Sequence, residues 1–167
     1  MDLTPYVGWI VFLHVLGAFL FAAGHGISMF VAFRVRKEPD RARMAALLDF
    51  SGIGLSVAYV GLLLLLVGGI VAGIVLGSWN KTWIWLSLGL FIVIGIAMTP
   101  LGINYFNRLR LALGVRTRNM KPADPDPVPA SDAALAAILQ ARNPELLLAV
   151  GGGGFVVILW LMMFRPF

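Results

Sequence analysis

Gly61-Leu62-Leu63-Leu64-Leu65-Leu66-Val67-Gly68-Gly69 lies at the centre of an apolar stretch that runs from residue 45 to residue 76. The stretch shows no period-two alternation, and it exceeds the roughly 20 residues that carry a helix across a bilayer core of about 30 Å. In lipid only helices and closed barrels satisfy every backbone N–H and C=O, so this run predicts a transmembrane helix. Residues 6–33, 83–106 and 146–164 meet the same criterion. The chain is 60% apolar and only 13% charged, and its 167 residues leave no room for a large soluble domain. The expected fold is all-α: a polytopic four-helix membrane bundle forming a single transmembrane domain over residues 1–167.

The formal charge of +5 is distributed in a way that argues for topology and against a nucleic-acid partner. Arg34, Arg36, Lys37, Arg41 and Arg43 follow the first segment, and Arg108, Arg110, Arg116, Arg118, Lys121 and Arg142 lie between the third and fourth. The other connection holds only Lys81, and the C-terminus only Arg165. The positive-inside rule then places both basic loops in the cytoplasm and both termini outside, in a bacterial-type inner membrane. Anionic headgroups of the bilayer are the natural partner of these loops. The chain opens Met1-Asp2-Leu3-Thr4-Pro5 and carries its positive charge after the first apolar run, the reverse of a cleaved signal peptide.

Local signals fill in the bundle. Trp9 and the cluster Trp79, Trp83 and Trp85 fall where interfacial indoles anchor a span. Gly61, Gly69, Gly73 and Gly77 share one line of the second helix, and Ala18, Ala22 and Gly26 form a small-residue stripe on the first; both predict close helix contacts, within the chain or with another subunit. Pro100 predicts a kink in the third helix. Residues 115–144 form a proline-rich linker, expected to contain a short amphipathic helix on the cytoplasmic surface, with Ser131 as N-cap and Leu135, Ile138 and Leu139 on one side. Asn143-Pro144-Glu145 supplies a cap, a first-turn proline and a first-turn carboxylate for the last helix. The glycine run 151–154 reads as close packing, because no strand precedes it and no Lys-Ser/Thr follows it.

Chemistry has few places to reside. There is no cysteine, which removes disulfides and thiolate chemistry, and no nucleophile-base pair or phosphate loop. His14 and His25 are the only histidines, and both fall inside the first apolar segment, where a titratable ring is a functional-site hypothesis by default. Eleven positions at about 100° each return to within roughly 20° of the same face, about 16 Å further along the axis. A neutral imidazole is a strong haem-iron ligand. A haem held by His14 needs a second ligand, and Met98, Met29, Lys81, water or a histidine of a second copy are the available partners. His25 lies deeper and suits a second haem or a propionate; alternatively it joins Ser28, Asp49, Ser51 and Asn104 in a structural hydrogen-bond cluster. The corresponding alternative for His14 is a bond to a neighbouring carbonyl or to a serine such as Ser56 or Ser87.

The stretch Phe12-Leu13-His14-Val15-Leu16-Gly17-Ala18, followed by Phe21-Ala22-Ala23-Gly24 and a basic exit, resembles helix one of a bacterial superfamily of small membrane proteins. That superfamily includes CopD-type copper-resistance proteins, HemJ-type protoporphyrinogen oxidases and uncharacterised four-helix integral membrane proteins. The likeness spans residues 1–110 and implies His14 as a haem b ligand. It also draws attention to Lys81, because Asn80-Lys81-Thr82-Trp83-Ile84-Trp85-Leu86 stands where HemJ-like proteins carry an important lysine. The chain lacks their further polar residues after helix one, and its proline-rich linker is not part of their pattern. Copper is less favoured, since no Met-x-Met or His-x-His run is present.

Three functional expectations follow. The first is a haem-b-binding or redox-linked membrane protein with His14 as axial ligand and His25, Lys81 and Met98 as further site residues. The second is a cofactor-free structural subunit of a homo-oligomer or larger membrane complex. The third is small-solute or proton transport, which would call for more intramembrane charge than this chain carries.

Overall fold

The computed structural model describes residues 2–141 and 143–166; Arg142, counted above with the basic loop, lies outside the described residues. Four helical spans long and apolar enough to cross a membrane make up the chain: Thr4–Val35, Arg41–Val75, Thr82–Ala112 and Pro144–Phe164. Within them we number α1 (Val7–Val35), α2 (Arg41–Val75), α3 (Thr82–Met98), α4 (Asn104–Ala112), α6 (Pro144–Leu147) and α7 (Gly154–Phe164), with α5 (Asp132–Gln140) in the linker. Four crossings bring the termini and the 76–81 turn to one end of the bundle, the termini end. The two arginine-rich connections lie at the opposite, basic end.

The second helix begins at Arg41, four residues earlier than the apolar pattern predicts, because the Asp40 carboxylate accepts from the Arg43 N–H at 2.9 Å and caps it. The third span runs on to Ala112 rather than ending at Phe106, and a π-helical turn at Thr99–Ile103 absorbs Pro100. A second π-helical turn, Leu148–Gly153, takes in most of the glycine run of the fourth span.

The spans pair unequally. α1 packs on α2 along its whole length, α3 packs on α7, and little joins the two pairs. Glycines set the first contact. A Cβ on Gly17 would meet the backbone of Leu65 and Gly61, and one on Gly24 would meet the Gly54 carbonyl and the Ala58 nitrogen, so the helices touch backbone to backbone. On α2, Gly61 and Gly69 of the expected line pack against α1, whereas on α1 the close contacts are made by Gly17 and Gly24 and not by the end of the expected Ala18, Ala22 and Gly26 stripe: Gly26 is exposed, and a Cβ there would meet nothing within 4 Å. Gly77 does not extend the α2 line: it lies beyond the helix with φ 60°, in the left-handed turn that reverses the chain. In the other pair, Gly154 lies against Ile94 and Gly151 against Met98, as close packing of the glycine run predicts.

The water-excluded core sits at the basic end. Val31, Val35, Met44, Leu48, Tyr105, Leu109, Ala112 and Leu135 form one buried cluster, while large apolar residues nearer the termini face outward. Lipid gives apolar side chains no reason to hide, whereas helix ends that emerge into water must bury theirs. α5 belongs to this core. The Ser131 hydroxyl caps it by accepting from the Ala134 N–H at 3.3 Å, and Leu135, Ile138 and Leu139 pack inward. Arg41 donates to the Ala130 carbonyl at 2.8 Å and to Asp132 at 2.6 Å, and so ties the linker to the start of α2. The amphipathic helix expected in the linker is thus present, and its apolar side docks on the protein's own helices at the basic end. Asn143 takes the N-cap position of α6 without a side-chain cap bond.

At the termini end Trp9 and Trp85 are exposed, as membrane anchors should be. Trp83 departs from that expectation: it is 8% exposed, with the Arg165 guanidinium 5.6 Å from its ring centroid.

Candidate functional site

The weak junction between the two helix pairs leaves a cavity of about 580 Å³. Its termini-side roof is aromatic: Phe21 of α1 stands 5.9 Å from Phe91 of α3 and 6.2 Å from Phe155 of α7, centroid to centroid. Its walls are apolar and its basic-end mouth is polar, with Asp49, Asn107, Arg110, Arg116 and Arg118 among the lining residues. Glycine widens it, since a Cβ on Gly95 would meet nothing within 4 Å.

His25 and Met98 meet in this cavity. A Cβ on Gly151 would stand 3.6 Å from His25 Cδ2 and 3.3 Å from Met98 Sδ, so imidazole and thioether converge on one backbone point from different helix pairs. A side chain at Gly151 would crowd both, so the glycine is what lets the two side chains close on this backbone. Phe21 holds the His25 ring from one side, 4.8 Å away and tilted by 33°. Among the described residues the ring makes no hydrogen bond. The cluster expected around it does not form: the Ser28 hydroxyl donates to the Gly24 carbonyl, and Asp49 pairs with Arg110 at 2.9 Å.

His14 is engaged elsewhere. Its Nδ1 lies 2.7 Å from the Leu65 carbonyl oxygen. A carbonyl can only accept, so the proton resides on Nδ1. Gly68 and Gly69 of α2 bring helix backbone against the residue: added Cβ atoms there would stand 2.9 Å from the His14 backbone nitrogen and 2.9 Å from its Nδ1. His14 does not line the cavity. Of the alternatives weighed for it, the carbonyl bond is the one formed, and Ser56 and Ser87 bond instead to carbonyls of their own helices, at Gly52 and Trp83. Lys81 is exposed at the start of α3, and its side chain makes neither a hydrogen bond nor an ion pair with a described residue. The structure therefore joins His25 to Met98 and leaves His14 and Lys81 outside the cavity. Met29 also lines it.

Three arginines are the part of the site that the sequence reading missed. Arg110 donates to Asp49 and to the Leu48 carbonyl, and Arg116 is held by Asp126 at 2.7 Å and by the Lys121 and Asp124 carbonyls. Arg118 reaches the Ser56 hydroxyl at 3.1 Å. Their clustering in the basic loop was legible as a topology signal, but nothing in the sequence pointed their side chains back into the bundle.

The family model for predicted integral membrane proteins designated DUF2269 matches residues 9–166. The chain belongs to this family. The DUF2269 match runs through all four spans and the linker, so the cavity, its aromatic roof and its polar mouth lie within the family's extent. Neither the curated proteins nor the solved structures contain a match to the chain.

Proposed function

We propose that this DUF2269 protein is a membrane-embedded haem b protein in which His25 and Met98 would hold the iron. The observation that carries the reading is their convergence on Gly151 inside a cavity of about 580 Å³. An imidazole and a thioether are an established ligand pair for haem iron, and a haem is an apolar body with two acidic groups. The cavity offers both kinds of surface: aromatic and aliphatic walls for the body, arginines at the mouth for the acids. When bound, haem would supply reversible one-electron transfer. The chain's own residues would hold and orient it: Phe21 fixes the His25 ring, Gly151 lets His25 and Met98 approach one backbone point, and the aromatic roof would keep water from the termini side. No second copy is required, because both ligands come from one chain.

This moves the ligand from His14, favoured by the likeness to CopD- and HemJ-type proteins, to His25. His14 becomes a packing residue that satisfies its own ring on the Leu65 carbonyl. By the positive-inside rule the cavity mouth faces the cytoplasm of a bacterial-type inner membrane, with the termini outside. A second reading, a cofactor-free structural subunit, is favoured by that same His14 bond and by the glycine contacts between α1 and α2. Transport is disfavoured by the three-ring roof, which separates the polar mouth from the termini end.

The test is a visible spectrum of the detergent-purified protein from haem-replete cells. A Soret band that His25→Ala abolishes and His14→Ala preserves supports the proposal. A colourless wild-type protein refutes it and leaves the structural reading.

A further inference from the structure

Arg118 stands apart from the other cations of the cavity. Arg110 and Arg116 are each neutralised by a carboxylate, Asp49 at 2.9 Å and Asp126 at 2.7 Å. Arg118 makes no ion pair among the described residues, and its one hydrogen bond is to the neutral Ser56 hydroxyl. Ser56 spends its own proton on the Gly52 carbonyl at 3.2 Å, so it meets Arg118 as an acceptor and leaves most of the guanidinium's donors free. The lining carries Asp49 against Arg110, Arg116 and Arg118, and after both ion pairs are counted one positive charge remains.

The depth of that charge matters. Gly24 lies against Gly54 and Ala58, so Ser56 and His25 sit at one level of the α1–α2 pair. Ser56 is also twenty positions from Leu76, roughly 30 Å at 1.5 Å per residue, which is the thickness of a bilayer core. A guanidinium is thus anchored at the basic-side edge of the hydrocarbon, with an apolar chamber behind it. Arg118 comes from the exposed loop and keeps its free donors accessible at the cavity mouth, and the fork of an arginine matches a carboxylate or a phosphate.

We infer that Arg118, positioned by Ser56, is an oxyanion site for the acidic end of a ligand whose apolar body occupies the cavity. The inference rests on the cavity being a ligand site, not on iron. Two sources supply that chemistry: the propionates of a haem, or the phosphate of an anionic lipid entering between the helix pairs.

The experiment uses the full chain in phosphatidylcholine nanodiscs, as wild type, Arg118→Gln and Arg118→Lys, with helicity checked by circular dichroism. In one arm a phosphatidate with a fluorescent acyl chain is compared with the phosphatidylcholine bearing the same chain. In the other, haem is compared with its dimethyl ester. Wild type should prefer the acidic probe in at least one arm. Arg118→Gln should lose about tenfold or more of that affinity, the scale of a charge-assisted hydrogen bond, with partial retention in Arg118→Lys. A loss confined to phosphatidate identifies a headgroup, and a loss confined to haem identifies the propionates. Equal binding of acidic and neutral probes, or no loss in Arg118→Gln in either arm, overturns the inference. A protein that takes no haem yet passes the phosphatidate arm refutes the iron reading alone.

Discussion

Replacing Gly61 by alanine tests the backbone contact on which the α1–α2 pair depends. The added Cβ would meet the Phe21 backbone nitrogen, the Gly17 carbonyl oxygen at 2.8 Å and the Leu20 carbonyl carbon at 2.9 Å. All three are main-chain atoms of a helix and cannot rotate aside, so α1 and α2 must separate. Alanine gains about 1 kcal/mol of helix propensity over glycine, whereas overpacking at a rigid contact costs about 1–3 kcal/mol. The separation also weakens the neighbouring contacts at Gly17 and Gly24. A net loss of about 1–2 kcal/mol is expected. Gly89→Ala is the control: a Cβ there meets nothing within 4 Å, so the variant keeps the propensity gain of up to about 1 kcal/mol. Equilibrium unfolding in mixed micelles, followed by far-ultraviolet circular dichroism, should separate the two variants by about 2–3 kcal/mol. A Gly61→Ala protein as stable as Gly89→Ala would refute the backbone-to-backbone contact and the helix pairing drawn from it.

Other outcomes follow from named contacts. His14→Ala should cost about 1 kcal/mol in the same unfolding assay, the scale of a side-chain hydrogen bond in lipid, and a loss of haem without loss of stability would contradict its packing role. Leu135→Ala, at a residue 4% exposed in the basic-end core, should destabilise by about 2–4 kcal/mol, and protease cleavage of the 115–131 loop should accelerate with it. Gly151→Leu should leave helicity unchanged and remove the Soret band, since its side chain would crowd both His25 and Met98. Because the chain has no cysteine, single cysteines at Ser78 and Ala123 should react with an impermeant maleimide from opposite faces of sealed vesicles, the latter from the cytoplasmic one.

The spans were legible because hydropathy over twenty residues is a solvent-transfer signal that needs no partner. Pro100, Asp40 and Ser131 act through their own backbone neighbourhood, and of these Pro100 and Ser131 could be read directly. The end of the third helix was not, because past Phe106 the sequence turns polar while the backbone continues into a core built with α1, α2 and α5. Periodicity places His14 and His25 on one face, but their environments depend on the partner helix: α2 closes on His14 with Gly68 and Gly69, whereas His25 faces Met98 across the gap. Arg118 was hidden for a related reason. A linker arginine carries no mark of whether it points to water or back into the bundle.

The wide turns at Thr99–Ile103 and Leu148–Gly153 lie side by side, Gly102 near Leu147 and Met98 near Gly151. Each inserts an extra residue into its coil, so every position beyond it is rotated by about 100° from where an uninterrupted helix would put it. Deleting one residue from the first turn would swing Arg110 away from Asp49 and turn Leu109 out of the core, while leaving Phe91 and Ile94 where they are. The paired insertions act as a phase shifter, through which one continuous rod presents a lipid-facing helix on one side and a water-facing one on the other.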